Sequence, residues 1–323
     1  MEQSWIVRLV DLKGFGGADR SEGILRVEGS NLSGQILSPG LSERIAQRVS
    51  TLHSSTNGII ELEFNDAEAV NAGMACGGVA HVTVFDRGRF PGEYFELERQ
   101  RTPFVVVTSL DPSGGTECYV IDSISSALKA DLPQEIMDKA EAIRLAMRKN
   151  TISVRLHEIS YYLSLVAPTT HMVVLGGGVL AKALSEMAVL LGWSAEVVEE
   201  SADKSHEITF DPESLLLGPL DALVVLSHDH DFTTPYITSA LKSHSGAYIG
   251  SLGSRHTQTE RRKRLLELGF VEKDVEGLYG PIGLDAAAQS VGETALVICA
   301  ELQVHKSRRP LRHLRDTSGP INA

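Results

Sequence analysis

The sequence predicts an α/β protein in which a strand-rich α+β domain precedes a Rossmann-like domain with a parallel sheet. Short β-type runs separated by Gly, Pro, Asn, Asp and Ser dominate residues 1–130. After residue 168, apolar strands alternate with helical patterns, which is typical of a parallel sheet with crossover helices. The 323 residues suit two domains, which we expect at 1–168 and 169–305, followed by a basic tail at 306–323.

The elements of the first domain follow from their residue patterns. Residues 40–52 have apolar positions at helical spacing and predict an amphipathic helix, and residues 132–150 predict a second helix. Arg148 and Lys149 are favourable charges for the end of that second helix. Residues 151–168 predict a pair of strands that ends at a proline. The other predicted strands are SWIVRLVDL, NGIIELEF, VAHVTVF, PFVVVTSL and CYVIDS.

Composition excludes several classes of function. Apolar residues make up 42% and charged residues 22%, so we expect a folded core rather than disorder. The net charge of -12 argues against nucleic acid as the main partner. No apolar run of ~18 residues and no leader-like pattern is present, which predicts a cytoplasmic protein without a membrane segment. The basic tail is either a solvated segment or a docking segment for an acidic partner.

A glycine turn opens the second domain. The strand HMVVL leads into Gly176, Gly178 and Ala181, a G-x-G-x-x-A pattern that also opens a helix. A second strand ends at Glu199, where an acid accepts hydrogen bonds from ribose hydroxyls in dinucleotide-binding folds. The sequence therefore predicts a Rossmann-type domain, and whether its turn binds NAD(P) or another nucleotide stays open.

Two polar segments follow later strands of this domain, and the carboxyl ends of parallel strands meet at one edge of the sheet. The segment SHDHD contains His228 and His230, which are candidate metal ligands or acid–base groups, or else part of a loop that caps the next helix. The next segment contains Gly253, Ser254 and Arg255, whose amides, hydroxyl and guanidinium suit an anionic group. Further along that helix, Arg261, Arg262 and Arg264 are expected on an exposed face.

The order of these motifs resembles the XdhC/CoxI family, the accessory factors of xanthine dehydrogenase and related molybdenum hydroxylases. The resemblance rests on the glycine turn, SHDHD, AYIGSLGSR, GPIGLD and the helix ending ALVICAEL. In the first domain, AGMACGGVAHVTVF is similar to the cysteine–glycine–glycine segment of that family.

The resemblance implies a chaperone without redox turnover of its own. Such proteins bind the molybdenum cofactor (molybdopterin), protect it while a cysteine desulfurase supplies its sulfido ligand, and deliver it to the apoenzyme of a xanthine dehydrogenase-like molybdenum hydroxylase. Carried onto this chain, the resemblance makes Cys76 the candidate molybdenum ligand, and Gly77 and Gly78 would allow close approach of the cofactor. The cofactor phosphate would suit the turn at Gly176 and Gly178 and the loop at 253–255. A homodimer is the default expectation for such a protein.

The sequence also predicts the role of the other two cysteines and leaves two alternative functions open. Cys118 and Cys299 lie in apolar runs and are expected in the core. The first alternative is an NAD(P)-dependent oxidoreductase, with Glu199 on the ribose and His228 or His230 as the acid–base group. The second is a non-catalytic nucleotide-sensing protein, for which Cys76 would be dispensable.

Overall fold

The computed structural model describes residues 4–15, 23–51, 58–72, 74–113, 115–123, 131–147, 151–200 and 211–318. The chain divides into two compact units. The first comprises Met1–Arg99 and Pro103–Ala167, and the second comprises Gln100–Thr102 and Pro168–Ala323.

The first unit contains two antiparallel sheets. Its strands and helices, in chain order, are β1 (Ser4–Gly14), β2 (Ile24–Glu28), β3 (Asn31–Gln35), α1 (Pro39–Val49), β4 (Gly58–Phe64), α2 (Asp66–Asn71), β5 (Gly78–Asp86), α3 (Gly92–Arg99), β6 (Phe104–Leu110), β7 (Thr116–Ile121), α4 (Gln134–Ala146), β8 (Thr151–Leu156) and β9 (Ile159–Val166). In the described residues, one sheet has the order β3-β2-β1-β5-β4 and the other the order β7-β6-β9-β8.

Helices cover the apolar faces of these sheets. The buried face of α1, with Leu41, Ile45 and Val49, packs on the first sheet, and α4 packs on the second sheet through Ile136 and Ala140. A third apolar cluster joins residues of both sheets and α3: Ile6, Phe85, Phe90, Tyr94, Phe104 and Val106. This arrangement buries the strand faces that the alternating sequence pattern predicts as apolar.

The second unit is built on a parallel sheet. Its elements are β10 (His171–Leu175), α5 (Val179–Leu190), β11 (Ser194–Val198), β12 (Ala222–Val225), α6 (His230–Lys242), β13 (Tyr248–Ser251), α7 (Arg255–Glu267), α8 (Glu272–Val275), β14 (Leu278–Tyr279) and α9 (Val291–Ser307). In the described residues the strand order is β11-β10-β12-β13-β14, and each adjacent pair is parallel.

Both faces of this sheet are covered. Residues of α5 and α9 pack on one face, while residues of α6, α7 and α8 pack on the other. The chain moves from β10 outward to β11 and then back across β10 to β12, so the strand order reverses beside β10. In open α/β sheets, ligands bind outside the carboxyl ends of the strands at such a reversal.

A bidentate ion pair stabilises the amino-terminal edge of the sheet. Arg101, which belongs to the second unit, donates to the buried Asp221 from Nε at 2.5 Å and from Nη2 at 2.8 Å. Asp221 also accepts hydrogen bonds from the backbone amides of His171 and Gly218, both at 2.8 Å. The buried carboxylate of Asp221 thus accepts four hydrogen bonds, which compensate for its removal from water.

The predicted fold class is confirmed, and the predicted strands of both domains form. The helix predicted at 132–150 spans Gln134–Ala146, and its predicted terminal residues Arg148 and Lys149 lie outside the described residues. Among the described residues, no helix is both long enough and apolar enough to span a bilayer.

The sequence pattern did not predict the hairpin of β2 and β3. The reason is that β3 (NLSGQ) is exposed throughout and lacks an apolar alternation.

Candidate functional site

The glycine turn lies at the carboxyl end of β10, beside the reversal of strand order. Gly176 and Gly178 have φ angles of 105° and 92°, in the region that favours glycine. The Gly176 amide donates to Val198 O on β11 at 2.8 Å, and an added Cβ on Gly176 would lie 2.8 Å from Ser227 N after β12. The turn therefore packs closely against both neighbouring strands, and α5 begins at Val179 directly after it.

A surface cavity of about 310 Å³ opens at this turn. It is lined by Gly176, Gly177, Gly178, Glu199, Glu200, Leu226 and Ser227. Among the described lining residues, the charged side chains are Glu199 and Glu200, and both are acidic. An added Cβ on Gly177 would overlap Glu199 Oε1, so this carboxylate lies directly over the turn. Carboxylates accept hydrogen bonds, and the cavity therefore suits a ligand group rich in N–H or O–H donors.

The segment after β12 caps a helix. Asp229 is the N-cap of α6, and its Oδ1 accepts from the amides of Asp231 at 2.7 Å and Phe232 at 3.1 Å. The capping alternative for SHDHD is thus confirmed at Asp229. His228 is exposed in the connection.

His230, the first residue of α6, lies in a different environment. Its Nδ1 is buried without a hydrogen-bond partner. Burial lowers the pKa of His230 from its ordinary value, and the nearby Arg261 and Arg264 lower it further.

The segment after β13 contains the predicted anion-binding loop. Gly250 and Ser251 belong to the strand and are buried. Ser254 is the N-cap of α7, and its Oγ accepts from Thr257 N at 3.3 Å. Arg255 is exposed and lines a second cavity of about 290 Å³. The described lining residues of this cavity and of the cavity at the glycine turn do not overlap, so Arg255 and Gly176 line different cavities.

The expectation for the arginines of α7 is wrong at one position. Arg262 and Arg264 are partly exposed and form ion pairs with Glu272 and Asp231. Arg261, by contrast, is only 2% exposed, and its Nη1 contacts the hydroxyl of Ser251 at the end of β13. Arg261 and Leu265 are four residues apart and lie on the same face of the helix, the face that packs on the sheet. This spacing from an apolar residue is the sequence signal that could have predicted the burial of Arg261.

Cys76 lies in the loop between α2 and β5, and the side chain is half-buried. Hydrogen bonds hold the loop on both sides of this cysteine. Met74 N donates to Ala69 O at 2.8 Å, and Gly77 N donates to Asp66 Oδ1 at 2.8 Å. The thiol is therefore positioned by an anchored loop rather than by a free one.

Gly77 and Gly78 have a packing role that the sequence does not reveal. An added Cβ on Gly77 would overlap Phe64 O and lie 2.7 Å from Asn65 C. An added Cβ on Gly78 would overlap Lys13 O and lie 2.5 Å from a ring carbon of Phe15. The space that these glycines leave is occupied by the backbone and side chains of their own domain.

The other two cysteines lie in apolar surroundings. Cys299 is buried in the core of the second unit, as predicted, and burial raises the pKa of its thiol to about 11. Cys118 is half-buried, its Sγ lies 4.0 Å from Arg8 Nη1, and burial raises the pKa of its thiol more than Arg8 lowers it. In the described residues, which include all three cysteines, no disulfide and no group of three or more candidate metal ligands is found.

The cofactor-binding residues predicted in the second unit are only partly brought together. Gly176, Gly178 and Glu199 share one cavity in the second unit. The sequence pattern did not single out Gly177, Glu200 or Leu226, although they line that cavity, whereas Ser227 was expected at this edge as the first residue of SHDHD. Their adjacency to the glycine turn and to the ends of β11 and β12 is the signal that identifies them, because strand ends converge at one edge of a parallel sheet.

Comparisons with known proteins agree with this geometry in the second unit. Residues 172–302 match the family model of the XdhC Rossmann domain. The chain is 26% identical over 136 residues to the molybdenum cofactor insertion chaperone PaoD of Escherichia coli strain K12, a match that covers 42% of this chain and 40% of PaoD. It is also 22% identical over 166 residues to the uncharacterized protein YqeB of the same strain, covering 47% of this chain and 30% of YqeB.

A crystal structure of a xanthine dehydrogenase from Bacillus halodurans aligns with 99% of this chain and 95% of that chain, with a TM-score of 0.47 and 16% identity. The matches to PaoD and YqeB each span less than half of the relative's length. The family model covers all five strands of the parallel sheet except His171, the glycine turn, α5 to α8 and most of α9. The resemblance found in the sequence is confirmed for residues 172–302, which match the XdhC Rossmann domain.

Proposed function

We propose that this chain binds the molybdenum cofactor as cargo and assists its insertion into a molybdenum hydroxylase of the xanthine dehydrogenase type. The observation that carries this proposal is the match of residues 172–302 to the XdhC Rossmann domain. The 26% identity to a molybdenum cofactor insertion chaperone supports it further. In this proposal the partners are the apoenzyme and a cysteine desulfurase that supplies the sulfido ligand.

In this proposal, the cavity at the glycine turn binds the part of the cargo that is rich in hydrogen-bond donors. The Glu199 and Glu200 carboxylates accept hydrogen bonds, and pterin N–H groups or ribose hydroxyls donate them. A phosphate placed directly against these two carboxylates would be repelled, although the amides at the start of α5 favour an anion. The proposal therefore assigns hydrogen-bond donors of the cargo to Glu199, and the anionic part of the cargo to a more distant contact.

Cys76 is the proposed contact for molybdenum. Thiolates are soft donors that suit such a metal, and the loop that holds Cys76 is anchored on both sides. The adjoining glycines act in this proposal by fitting the loop against β1 and β4, which positions the thiol.

The experiment is a measurement of cofactor content. The full chain is purified from a host that makes the molybdenum cofactor, and oxidised pterin fluorescence and molybdenum are quantified for the wild type, Cys76→Ser and Cys299→Ala. Cys299→Ala is the matched control, because it removes a buried thiol of the core. We expect pterin in the wild type and in Cys299→Ala, and its loss from Cys76→Ser.

The outcomes separate the two parts of the proposal. If the wild type carries no pterin even after incubation with excess cofactor, the cargo assignment is wrong. If Cys76→Ser retains as much pterin and molybdenum as the wild type, the cargo assignment stands and the role of Cys76 is wrong. An apoenzyme activation assay with the same variants then tests delivery to the hydroxylase.

A second candidate function is nucleotide binding at the glycine turn, favoured by the position of Glu199 over Gly177. Titration with NADH or ADP-ribose tests it with Glu199→Gln, and with Glu196→Gln as a control from the exposed part of β11. Because Glu199→Gln loses a contact to the ribose, we expect it to bind the nucleotide about tenfold more weakly. We expect Glu196→Gln to bind the nucleotide as the wild type does. Turnover of a nicotinamide substrate would favour an oxidoreductase, and binding without turnover would favour a sensor or a nucleotide-extended cargo.

A further inference from the structure

Arg261 is a buried cation with one unused edge. The residue is 2% exposed, and its Nη1 contacts Ser251 Oγ and lies 3.4 Å from Gln258 Oε1. Its Nε and Nη2 are buried and have no hydrogen-bond partner. These two atoms form the side of the guanidinium that donates two parallel hydrogen bonds to an oxyanion.

The same domain shows what this edge binds when an acid is present. Arg101 uses Nε and Nη2 to hold both carboxylate oxygens of Asp221, at 2.5 and 2.8 Å. Within the described part of the chain, no carboxylate forms an ion pair with Arg261, and burial lowers its pKa without an opposing contribution from an acid. A buried charge without a partner is costly, so a retained one indicates a ligand or an unusual structural role.

His230 adds a second unsatisfied group on the neighbouring helix. Its Nδ1 is buried without a partner, and it is close enough to Arg261 for the guanidinium to lower its pKa. His230 also lines an open cavity of about 480 Å³ with Glu260, Lys263, Arg264 and Glu267. This cavity gives solvent a path to the histidine from the side of α6 and α7.

The location is the ligand-binding edge of the parallel sheet. Ser251 is the last residue of β13 and pairs with Val225 at the end of β12. Gln258 donates from Nε2 to the carbonyl oxygens of Ser251 and Leu252, at 3.1 and 3.2 Å, and so fixes the chain just beyond the strand. The unused edge of Arg261 therefore belongs to a rigid part of the sheet rim.

We propose that Arg261, together with Ser251 and His230, forms a binding site for a phosphate group at the carboxyl edge of β13. The Nε and Nη2 atoms of Arg261 donate to two phosphate oxygens, and the Ser251 hydroxyl and the His230 ring supply further hydrogen bonds. The side chain of His230 turns toward the cavity to admit the ligand. This inference goes beyond the proposed function, since it rests only on the described side chains and holds for any small phosphorylated ligand.

The test is calorimetric titration of the full chain with inorganic phosphate and with phenyl phosphate at constant ionic strength. The variants are Arg261→Met, which keeps the length of the side chain, and Arg262→Met, a control at the next position, where the arginine is half-buried and paired with Glu272. Because a bidentate charged contact is lost, we expect Kd for phosphate to rise at least ~10-fold in Arg261→Met and to stay within about twofold in Arg262→Met. Binding of phenyl phosphate as well indicates an ester-linked ligand, and binding of inorganic phosphate alone indicates the free ion.

Thermal melting without phosphate separates a binding role from a structural one. Replacement of an uncompensated buried charge by methionine should leave the melting temperature unchanged or raise it. Arg261→Lys is a second variant, which keeps the charge and lacks the planar edge, and we expect it also to bind phosphate more weakly. The proposal is overturned if the wild type binds neither probe, or if Arg261→Met and Arg261→Lys bind phosphate as tightly as the wild type. If the wild type binds phosphate but takes up no pterin even after incubation with excess cofactor, the cargo assignment is wrong and this inference stands.

Discussion

Gly176 and Ser227 are in direct contact across the ends of β10 and β12. An added Cβ on Gly176 would lie 2.8 Å from Ser227 N and 3.2 Å from Ser227 Cβ. Gly177 differs, because the three atoms nearest to its added Cβ all belong to the Glu199 side chain, whose far end is flexible. The two neighbouring glycines therefore restrict the turn for different reasons.

The first prediction concerns the cost of a methyl group at these two positions. Gly176→Ala requires a φ of 105° and overlaps backbone, so we expect it to lower the free energy of unfolding by about 2 kcal/mol or more. We expect Gly177→Ala to displace Glu199 at a cost below about 1 kcal/mol. Urea unfolding measures both, with Gly292→Ala in open space on α9 as the control. Equal costs for the two substitutions would contradict the packing described for the turn.

The second prediction concerns the glycine that follows Cys76. Because an added Cβ on Gly77 overlaps backbone atoms of residues 64 and 65, Gly77→Ala should lower the free energy of unfolding by about 2 kcal/mol in protein that holds no cofactor. Gly92→Ala is the control in the same unit, since nothing lies within 4 Å of its added Cβ. An unchanged stability of Gly77→Ala, combined with a loss of pterin, would instead indicate that the glycine serves close approach of the cargo.

The third prediction ranks the thiols by reactivity. The pKa of Cys299 is raised to about 11 by burial, and burial also raises that of Cys118. At pH ~8, a thiol with a pKa near 11 is ionised to only about one part in a thousand, and the thiolate is the reactive form. We therefore expect iodoacetamide to modify Cys76 first, as measured by peptide mass spectrometry over time. Cys76→Ser should remove the fast phase, and fast modification of either other cysteine in the folded protein would disprove the ranking.

The fourth prediction concerns stability on acidification. Burial lowers the pKa values of His171 and His230 in the folded protein, so the unfolded chain binds more protons at these positions. Stability contributed by the neutral rings is complete above the ordinary histidine pKa of about 6.5, and it falls as the pH drops through that value toward the lowered ones. For His171, Asp221 and Glu196 oppose the effect of burial and Arg101 adds to it; for His230, Asp229 and Asp231 oppose it and Arg261 and Arg264 add to it.

Melting temperature from pH ~7.5 down to ~5.5 measures this dependence. His171→Gln and His230→Gln should each reduce the slope relative to the exposed comparison variant His228→Gln. A slope that is the same in all three variants would mean that other groups cause the acid sensitivity. If the phosphate site exists, added phosphate should weaken the effect of His230 most, because the anion favours its charged ring.

Most elements of both domains, and the resemblance of the second domain to XdhC proteins, could be read from the order of residues. Apolar runs, punctuation by Gly and Pro, and the spacing from Gly176 to Glu199 depend on local chain geometry, and local geometry is readable from the order of residues. The resemblance carried by AYIGSLGSR and GPIGLD likewise needs no coordinates. The exposed strand β3 was not predicted, because it has no apolar alternation that would mark it as a strand.

The grouping of the candidate residues within each unit, and the surroundings of each side chain, became visible only in the folded chain. Arg261 and Arg262 are adjacent in sequence, yet the helix directs one to the sheet and the other to solvent, and the charge of arginine made both appear exposed. Gly77 and Gly78 appeared to leave room for a ligand, but the backbone of distant residues occupies that room. Such contacts join residues far apart in the chain, and their distances follow from packing rather than from sequence order.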